Sequence, residues 1–256
     1  MDKSSLKARF SLALDLAKEA GDFLLSHENL RSEISLKGEN DFVTSADKAS
    51  ERLIIGRIKE CFPEDAVLGE ESGGARQGVR WIIDPIDGTV DFMTSFPAYT
   101  VSIGFEDEEG LAFGVIICPR QGEIFSALRG EGAYLNGKRI HTSEDLPLPE
   151  SIAILVPPHR HKEHLHSYLE TEEKLYYVLS DVRALGSAAL SLCYVASGRC
   201  ALYYERALHI YDVAAGVVIV REAGGKVTFL TDDEDNLDLA ASVSGSHEKL
   251  LEVING

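Results

Sequence analysis

The most informative segment of this 256-residue sequence is WIIDPIDGTVDF, residues 81–92. Its first three residues are apolar and suit a buried strand. Asp84 and Asp87 then flank a proline, and both offer the hard carboxylate oxygens that Mg²⁺ prefers. The backbone amides of Gly88 and Thr89 follow, at a position where a helix can begin and hold a phosphate. A cation site and a phosphate site in one short turn favour phosphoryl-transfer or phosphate-ester chemistry.

The same segment resembles the signature of the inositol monophosphatase family, within the larger group of Mg²⁺-dependent, lithium-sensitive sugar phosphatases. Five further family-like segments occur in the expected order. Together with residues 81–92 they make six matches in register, which are far more specific than one. The five further segments are DFVTSAD (41–47), GEES (69–72), GEGAYLNG (130–137), GSAA (186–189) and YDVAAG (211–216). The resemblance implies a mixed α/β (α+β) protein, built as a layered αβαβα sandwich of the inositol monophosphatase and fructose-1,6-bisphosphatase type.

The composition is ordinary for a globular protein, with 45% hydrophobic and 26% charged residues. The formal net charge of −17 argues against nucleic acid as a partner, because phosphate backbones attract clustered Lys and Arg. No apolar run reaches the roughly 18 residues of a membrane span, and the first residues lack the apolar core of a signal peptide. We therefore expect a cytoplasmic protein with neither a membrane nor a nucleic-acid partner. The four cysteines form no Cys-x-x-Cys pair, which indicates reduced thiols.

Periodicity predicts helices and an antiparallel sheet in the first part of the chain. An amphipathic helix is expected over residues 4–26, and a second helix is capped by Thr44 or Ser45 and ended by Pro63. Short β-rich runs then predict the antiparallel sheet, which includes an Asn-Gly hairpin turn. The runs are residues 99–105, 112–117 and 123–127, and the turn is at 136–137.

A polar, proline-bearing stretch at residues 142–150 predicts a domain boundary. The first domain, α+β and carrying most metal ligands, is placed at residues 1–141. The second, an α/β domain at residues 142–256, supplies Asp212 and substrate-binding residues. Alternating patterns in it predict helices at 187–196 and 212–223, and strands at 201–204 and 226–230.

The acids of these segments have simpler interpretations when each is considered alone. Asp84 and Asp87 fit an Asp-Pro turn, and Asp212 fits the acidic first turn of a helix. Asp47 fits a capping box with Thr44. If the fold brings such carboxylates together, however, a pair about 4 Å apart repels by roughly 4 kcal/mol at an effective dielectric near 20. Bound cations or raised pKa values must then offset the repulsion.

By resemblance, the site binds two or three Mg²⁺ ions, for which Mn²⁺ can substitute. One ion is bound by Glu70, Asp84 and the Ile86 carbonyl, a second by Asp84, Asp87 and Asp212, and a weaker third by Glu70 with waters. The resemblance also makes Asp47 the partner of the Thr89 hydroxyl, and Thr89 with Glu70 orients and deprotonates the attacking water. Substrate contacts are expected from Asp87, Gly88, Thr89, Gly186, Ser187, Ala188, Glu205 and Asp212.

Several other residues keep more than one interpretation. Lys37 is either a solvated loop charge or a residue near the metal site. Glu71 is either a solvent-facing turn residue or an indirect contributor to the site. Arg183 meets a substrate anion or a dimer partner, or has an ordinary surface role. The histidine-rich segment 159–166 fits no zinc motif, and the acidic run 231–236 lacks the glycine and terminal glutamate of an EF-hand, so both are expected to be solvated.

The predicted function is in-line hydrolysis of a phosphate monoester by a metal-activated water, with inositol monophosphate as the leading substrate. Fructose-1,6-bisphosphate is the close alternative, alone or in a dual-specificity enzyme. Adenosine 3′,5′-bisphosphate is less favoured, since relatives that use it carry Leu and Lys or Arg where this chain has Ile86 and Val90. Asp91, residues 94–95 and Tyr211 depart from the usual family pattern and are expected to reshape the pocket. The rival from another class is a non-catalytic metal-binding homologue, and the resemblance implies a homodimer.

Overall fold

The structure is a computed structural model. It describes residues 1–27, 34–38, 41–143, 147–158 and 161–256, and of residues 34–38 and 41–43 it describes the backbone alone.

Two helices begin the chain and confirm the expected amphipathic patterns. They are α1 (Lys3–His27) and α2 (Ser45–Cys61), and a two-stranded antiparallel ribbon lies between them, β1 (Ile34–Gly38) and β2 (Asp41–Thr44). Thr44 caps α2 as predicted, because its side chain accepts hydrogen bonds from the first backbone amides of the helix. Pro63 follows the last turn, where it cannot continue the helix.

A large mixed sheet follows, and it includes the buried strand expected before Asp84. Its strands are β3 (Ala66–Gly69), β4 (Gly73–Gly74), β5 (Arg80–Asp87), β6 (Thr100–Asp107), β7 (Gly110–Cys118), β8 (Glu123–Leu128), β9 (Gly132–Leu135) and β10 (Lys138–Ile140), in the spatial order β10-β9-β8-β7-β6-β5-β3-β4. Strands β6 to β8 confirm the predicted antiparallel runs. The β9–β10 turn is the predicted Asn-Gly hairpin, with positive φ at both residues. The short helix α3 (Thr89–Thr94) follows β5 after Gly88.

The second half of the chain forms a smaller sheet with its own helices. The elements are β11 (Ile152–Val156), α4 (Leu165–Tyr176), β12 (Asp181–Arg183), α5 (Ala188–Ala196), β13 (Leu202–Leu208), α6 (Ile210–Glu222), β14 (Lys226–Phe229), β15 (Leu237–Ser242) and α7 (His247–Asn255). The sheet order is β12-β11-β13-β15-β14. Both predicted helices and both predicted strands are present. β13 extends four residues beyond the predicted end, since it pairs with β15 as far as Leu208.

The elements stack in five layers, which confirms the αβαβα sandwich. α1 and α2 cover one face of the eight-stranded sheet, and α5 and α6 lie between the two sheets. α4 and α7 cover the outer face of the five-stranded sheet. Gly114 on β7 is required by this packing, because a Cβ there would overlap the carbonyl oxygen of Ala215 on α6. The close approach holds the middle of α6 against the large sheet.

The strands divide between the sheets at one point in the chain. Every strand of the eight-stranded sheet ends by residue 140, and every strand of the five-stranded sheet begins at residue 152 or later. The domain boundary at residues 141–142 stays a prediction, since a division of strands does not show that each half folds alone. Among the described helices, none combines the length and the apolar character that crossing a bilayer would require.

Candidate metal centre

The carboxyl end of β5 supplies the first two acids of the site. Asp84 is 1% exposed and Asp87 is 7% exposed. Residues three apart on a regular strand point to opposite faces. Here the β5–β6 register changes between the two acids, next to Pro85, which has no amide for the ladder. The irregular register allows both carboxylates to reach the same space.

Asp212 completes the cluster from the other half of the chain. It is the third residue of α6 and 4% exposed, and its Oδ2 accepts a hydrogen bond of 2.6 Å from the His209 amide. One carboxylate oxygen each of Asp84, Asp87 and Asp212 lies within 4.8 Å of the other two. Asp212 therefore completes the capping box of α6, whose N-cap is His209, and also belongs to the buried cluster.

Burial and repulsion from neighbouring acids raise the pKa values of Asp84 and Asp87. Burial is the largest cause for Asp84, and Glu70, Asp87 and Asp212 add repulsion, so its pKa lies well above the usual range. Burial is the largest cause and repulsion from Asp212 the second, and together they raise the pKa of Asp87 to about 7. Hydrogen bonds from residues 187–189 partly oppose this rise. No described lysine or arginine forms a salt bridge with any of these three acids. A buried, all-oxygen set of acids that pairs with no Lys or Arg in the described part of the chain fits a hard divalent cation such as Mg²⁺.

Asp87 also anchors the predicted substrate segment at the start of α5. Its Oδ2 accepts hydrogen bonds from the Ser187 hydroxyl at 2.5 Å and the Ala189 amide at 2.7 Å, and its Oδ1 accepts from the Ala188 amide at 3.3 Å. Ser187 in turn caps α5 by accepting from the Leu190 amide. These contacts place the 186–189 segment beside the acid cluster.

Thr89 and Asp47 meet as the resemblance implied. The Thr89 hydroxyl lies 3.2 Å from Asp47 Oδ1 and 3.2 Å from the Ile86 carbonyl oxygen. Asp47 Oδ2 accepts from the amide of Thr44 at 2.8 Å and from its hydroxyl at 2.5 Å. Burial raises the pKa of Asp47, and the hydrogen bonds from Thr44 and Thr89 oppose it. Both interpretations of Asp47 hold, since one oxygen completes the capping box and the other contacts Thr89.

Gly88 permits the tight turn between β5 and α3. Its φ is +89°, in the left-handed region that favours glycine. A Cβ at this position would lie 3.2 Å from the carbonyl oxygens of Ala98 and Gly186. The chain therefore needs glycine here both for its backbone conformation and for the close approach of the 186–189 segment.

The acidic turn at residues 69–72 depends on a residue that the sequence analysis missed. Glu70 interacts directly with Asp84, which places it beside the cluster. Glu51 on α2 is 3% exposed, and its Oε2 accepts a hydrogen bond of 2.9 Å from the Glu71 amide. The available signal was its spacing of four residues from Asp47, which puts both acids on one face of α2. A second missed residue is Thr100, buried on β6 with its hydroxyl 3.4 Å from Asp87 Oδ2.

Asp91, which stands where the family pattern usually has asparagine, packs against the substrate segment. A Cβ on Gly186 would collide with its carboxylate. Burial raises the pKa of Asp91, and a hydrogen bond from the Gly186 amide opposes it. Its Oδ2 is buried and has no hydrogen-bond partner among the described residues.

Three further residues named in the sequence analysis are Glu205, Arg183 and Lys37. Glu205 is buried and accepts a hydrogen bond of 2.6 Å from the Tyr203 hydroxyl. Burial and then Glu205 raise the pKa of Tyr203, to which Asp87 and Asp212 also contribute. Arg183 is exposed and forms a 2.6 Å ion pair with Asp181, so its role stays a prediction. Lys37 lies in β1, but its side chain is outside the described part of the structure.

The two segments expected to be solvated lie on the surface. His161, Glu163 and His164 come together there, with His161 Nδ1 3.0 Å from Glu163 Oε1, whereas His159 is outside the described residues. Residues 231–236 form the largely exposed turn between β14 and β15, as predicted.

Comparison with known proteins agrees with the geometry. The profile of the inositol monophosphatase family matches residues 6–255. "Nus factor SuhB" of Escherichia coli is 37% identical over 241 residues, which cover 92% of this chain and 90% of the relative.

Two solved structures share the fold over nearly the whole chain. The extragenic suppressor protein suhB of Bartonella henselae superposes with a TM-score of 0.90 at 33% identity, covering 96% of this chain and 98% of that one. SaIMPase-II of Staphylococcus aureus, solved with bound inositol monophosphate, has a TM-score of 0.81 at 27% identity, covering 96% and 92%. The profile match, the 37% identity and the shared fold all support the same assignment. The chain belongs to the inositol monophosphatase family.

Proposed function

We propose that this protein is a Mg²⁺-dependent phosphate monoester hydrolase with inositol monophosphate as its leading substrate. The observation that carries the proposal is the meeting of Asp84, Asp87 and Asp212, three buried acids from both halves of the chain, within 4.8 Å of one another. A purely structural core would be more stable with apolar residues at these positions. A family relative bound to inositol monophosphate supports the choice of substrate.

The cluster offers the donors that two or three Mg²⁺ ions need. Asp84, Asp87, Asp212, Glu70 and the Ile86 carbonyl would hold them. Bound ions of this kind lower the pKa of a coordinated water and neutralise the charge of the transferred phosphoryl group.

Thr89 and Asp47 position the nucleophile in this proposal. When the Thr89 hydroxyl donates its hydrogen to Asp47 Oδ1, its lone pairs are left to accept a hydrogen bond from a water. Glu70, on the partly exposed side of the cluster, takes the proton as that water attacks phosphorus. The bond between phosphorus and the ester oxygen then breaks, and the leaving alkoxide takes a proton from solvent. No covalent phosphoenzyme is needed.

Substrate contacts come from the segments packed around Asp87. The amides of Gly88 and Thr89 face the phosphoryl group, and the 186–188 segment lies beside the substrate ring. The carboxylate of Glu205 accepts a hydrogen bond from a substrate hydroxyl, which favours polyols. Fructose-1,6-bisphosphate remains the close alternative on the same chemistry.

Phosphate release from a small panel of esters tests the proposal. We expect the purified protein to release phosphate from inositol 1-phosphate, less from fructose-1,6-bisphosphate and least from adenosine 3′,5′-bisphosphate. Release should require Mg²⁺ and be lost in Asp84→Asn, while Asp232→Asn in the exposed turn retains it. Hydrolysis that persists in EDTA or in Asp84→Asn would contradict the proposed site. The mass of the protein in solution tests the proposed homodimer.

A second candidate function follows from the Escherichia coli relative, which is named a Nus factor. Identity of 37% over 92% of this chain supports a shared role. The test is whether this chain restores Nus-factor activity to cells that lack the relative. Restoration by wild type and by Asp84→Asn alike would separate that role from phosphate release.

A further inference from the structure

Ser102 lies directly opposite Asp84 in the β5–β6 ladder. Opposite residues of an antiparallel pair share one face, with Cβ atoms about 4.5–5.5 Å apart. The next residues of β6 on that face are Thr100, which contacts Asp87, and Gly104, which packs against Ala214 of α6. The Ser102 side chain therefore lies between the large sheet and α6, beside the acid cluster.

No described residue pairs with the hydroxyl of Ser102. The residue is 0% exposed, and its Oγ is buried with no hydrogen-bond partner among the described residues. A buried hydroxyl left unpaired destabilises a folded chain, whereas alanine would fit the same space without a polar atom. Two other buried hydroxyls next to the cluster, those of Thr100 and Ser187, contact Asp87.

We propose that Ser102 is a positioning residue of the cation site, a role that rests on the proposed function. When a divalent cation is bound, the Ser102 hydroxyl donates to the Asp84 carboxylate, directly or through one buried water. The hydrogen bond fixes the orientation in which Asp84 presents its other oxygen to the cation. Partners of this kind commonly change metal affinity 10- to 100-fold when they are removed.

The test compares cation affinity with stability in the absence of cation. Titration with Mg²⁺ by calorimetry, and with Mn²⁺ by electron paramagnetic resonance, gives the affinity, and thermal unfolding in EDTA gives Tm. We expect Ser102→Ala to weaken binding roughly 10- to 100-fold while its Tm in EDTA equals or exceeds that of wild type. Ser102→Cys keeps a weak donor of similar size, so its cation affinity should lie between those of Ser102→Ala and wild type.

The matched control is Ser242→Ala. Ser242 is also fully buried, but its hydroxyl donates to the Val243 carbonyl at 3.0 Å and lies 2.8 Å from His247 Nδ1. This control should lower Tm in EDTA and leave cation affinity unchanged, which is the opposite pattern. A general loss of packing would lower Tm and affinity together.

The outcomes separate this inference from the proposed function. If wild type binds cation and Ser102→Ala binds it equally well, the positioning role is wrong and the metal site stands. If the Tm of Ser102→Ala in EDTA falls below that of wild type and its cation affinity falls as well, the loss is one of packing and the positioning role is also wrong. If wild type binds neither Mg²⁺ nor Mn²⁺, both the inference and the proposed function fail.

Discussion

Replacing Asp84 by asparagine is expected to stabilise the metal-free protein while it abolishes cation binding. Asp84 Oδ1 accepts a hydrogen bond of 3.0 Å from the Ile86 amide, and an asparagine oxygen can keep that bond. The new amide group can donate to Glu70, which repels the carboxylate of Asp84 in the wild type. The substitution thus removes a buried charge with little change in shape.

The magnitude follows from the geometry of the cluster. One carboxylate oxygen each of Asp84, Asp87 and Asp212 lies within 4.8 Å of the other two, so a charged pair repels by about 3.5 kcal/mol or more at an effective dielectric near 20. Burial, and after it repulsion from Asp212, raises the pKa of Asp87 from 3.8 to about 7, and protonation then limits the repulsion. A difference of about three in pKa corresponds to a free energy on the order of 4 kcal/mol.

The sign of the pH dependence follows from the raised pKa of Asp87. This contribution to stability is fully present below the unfolded pKa of 3.8 and is lost as pH rises through about 7. Metal-free wild type should therefore be less stable near pH 8 than near pH 5. Asp84 adds to this dependence, because burial and repulsion from Glu70, Asp87 and Asp212 hold its own pKa well above the usual range. Removing its charge in Asp84→Asn should recover about 2–4 kcal/mol near pH 8, or roughly 4–16 °C in Tm for a chain of this size.

Thermal unfolding monitored by circular dichroism in EDTA and in Mg²⁺ checks this expectation. In EDTA near pH 8 the variant should melt above wild type, and the difference should shrink near pH 5. In saturating Mg²⁺ the order should reverse, because cation binding stabilises only the wild type. The exposed Asp232→Asn serves as control. A variant that melts below wild type in EDTA near pH 8, or that follows the control throughout, would refute the electrostatic reasoning.

Four other substitutions test separate parts of the site. Thr89→Ala should lower kcat about 10²- to 10⁴-fold with little change in KM, and Thr89→Ser should restore most of it; steady-state phosphate release measures both. Gly88→Ala should lower the free energy of unfolding by roughly 1–3 kcal/mol in urea titrations, because its φ is +89° and its Cβ would crowd two carbonyl oxygens; no loss would contradict the described turn. Glu51→Ala removes the oxygen that accepts from the Glu71 amide and should weaken Mg²⁺ binding. Glu51→Gln keeps an acceptor oxygen and should bind Mg²⁺ nearly as well as wild type. Equal Mg²⁺ affinity in both variants would argue against a role for Glu51 in holding the acidic turn. Asp91→Asn removes a carboxylate whose pKa is raised by burial. Because the buried charge is costly only when the group is ionised, the variant should raise Tm near pH 8 and leave it nearly unchanged near pH 4. An equal gain in Tm at both pH values would contradict burial of the charge as the cause.

Local signals in the sequence predicted most of the elements correctly. Thr44 caps α2 because a side-chain oxygen three residues before a helical amide can reach it without help from the rest of the fold. The Asn-Gly pair at 136–137 turns the β9–β10 hairpin for a similarly local reason, since both residues tolerate positive φ. The bounds were less certain where tertiary packing extends an element, as in β13, which continues to Leu208 along β15.

The buried partners of the site were harder to predict. Glu51 has a helical spacing that defines its face on α2 but not what lies opposite that face. Thr100 and Ser102 occupy alternate positions of an ordinary β-strand, where a hydroxyl gives no local sign of its contact. In each case the contact is between residues distant in sequence, and no periodicity within one element encodes it.

The sequence alone determined which side chains are available for chemistry, because residue type sets charge, hydrogen-bonding capacity and local backbone preference. From it followed the helices, the strand that ends at Asp84 and Asp87, and the resemblance that implied a magnesium site. Only the tertiary structure decided that Asp212 joins those two acids and that the Ser102 hydroxyl meets no hydrogen-bond partner among the described residues. Those facts depend on how the two sheets pack against α6, since the distance between residues far apart in the chain is set by packing of the whole core.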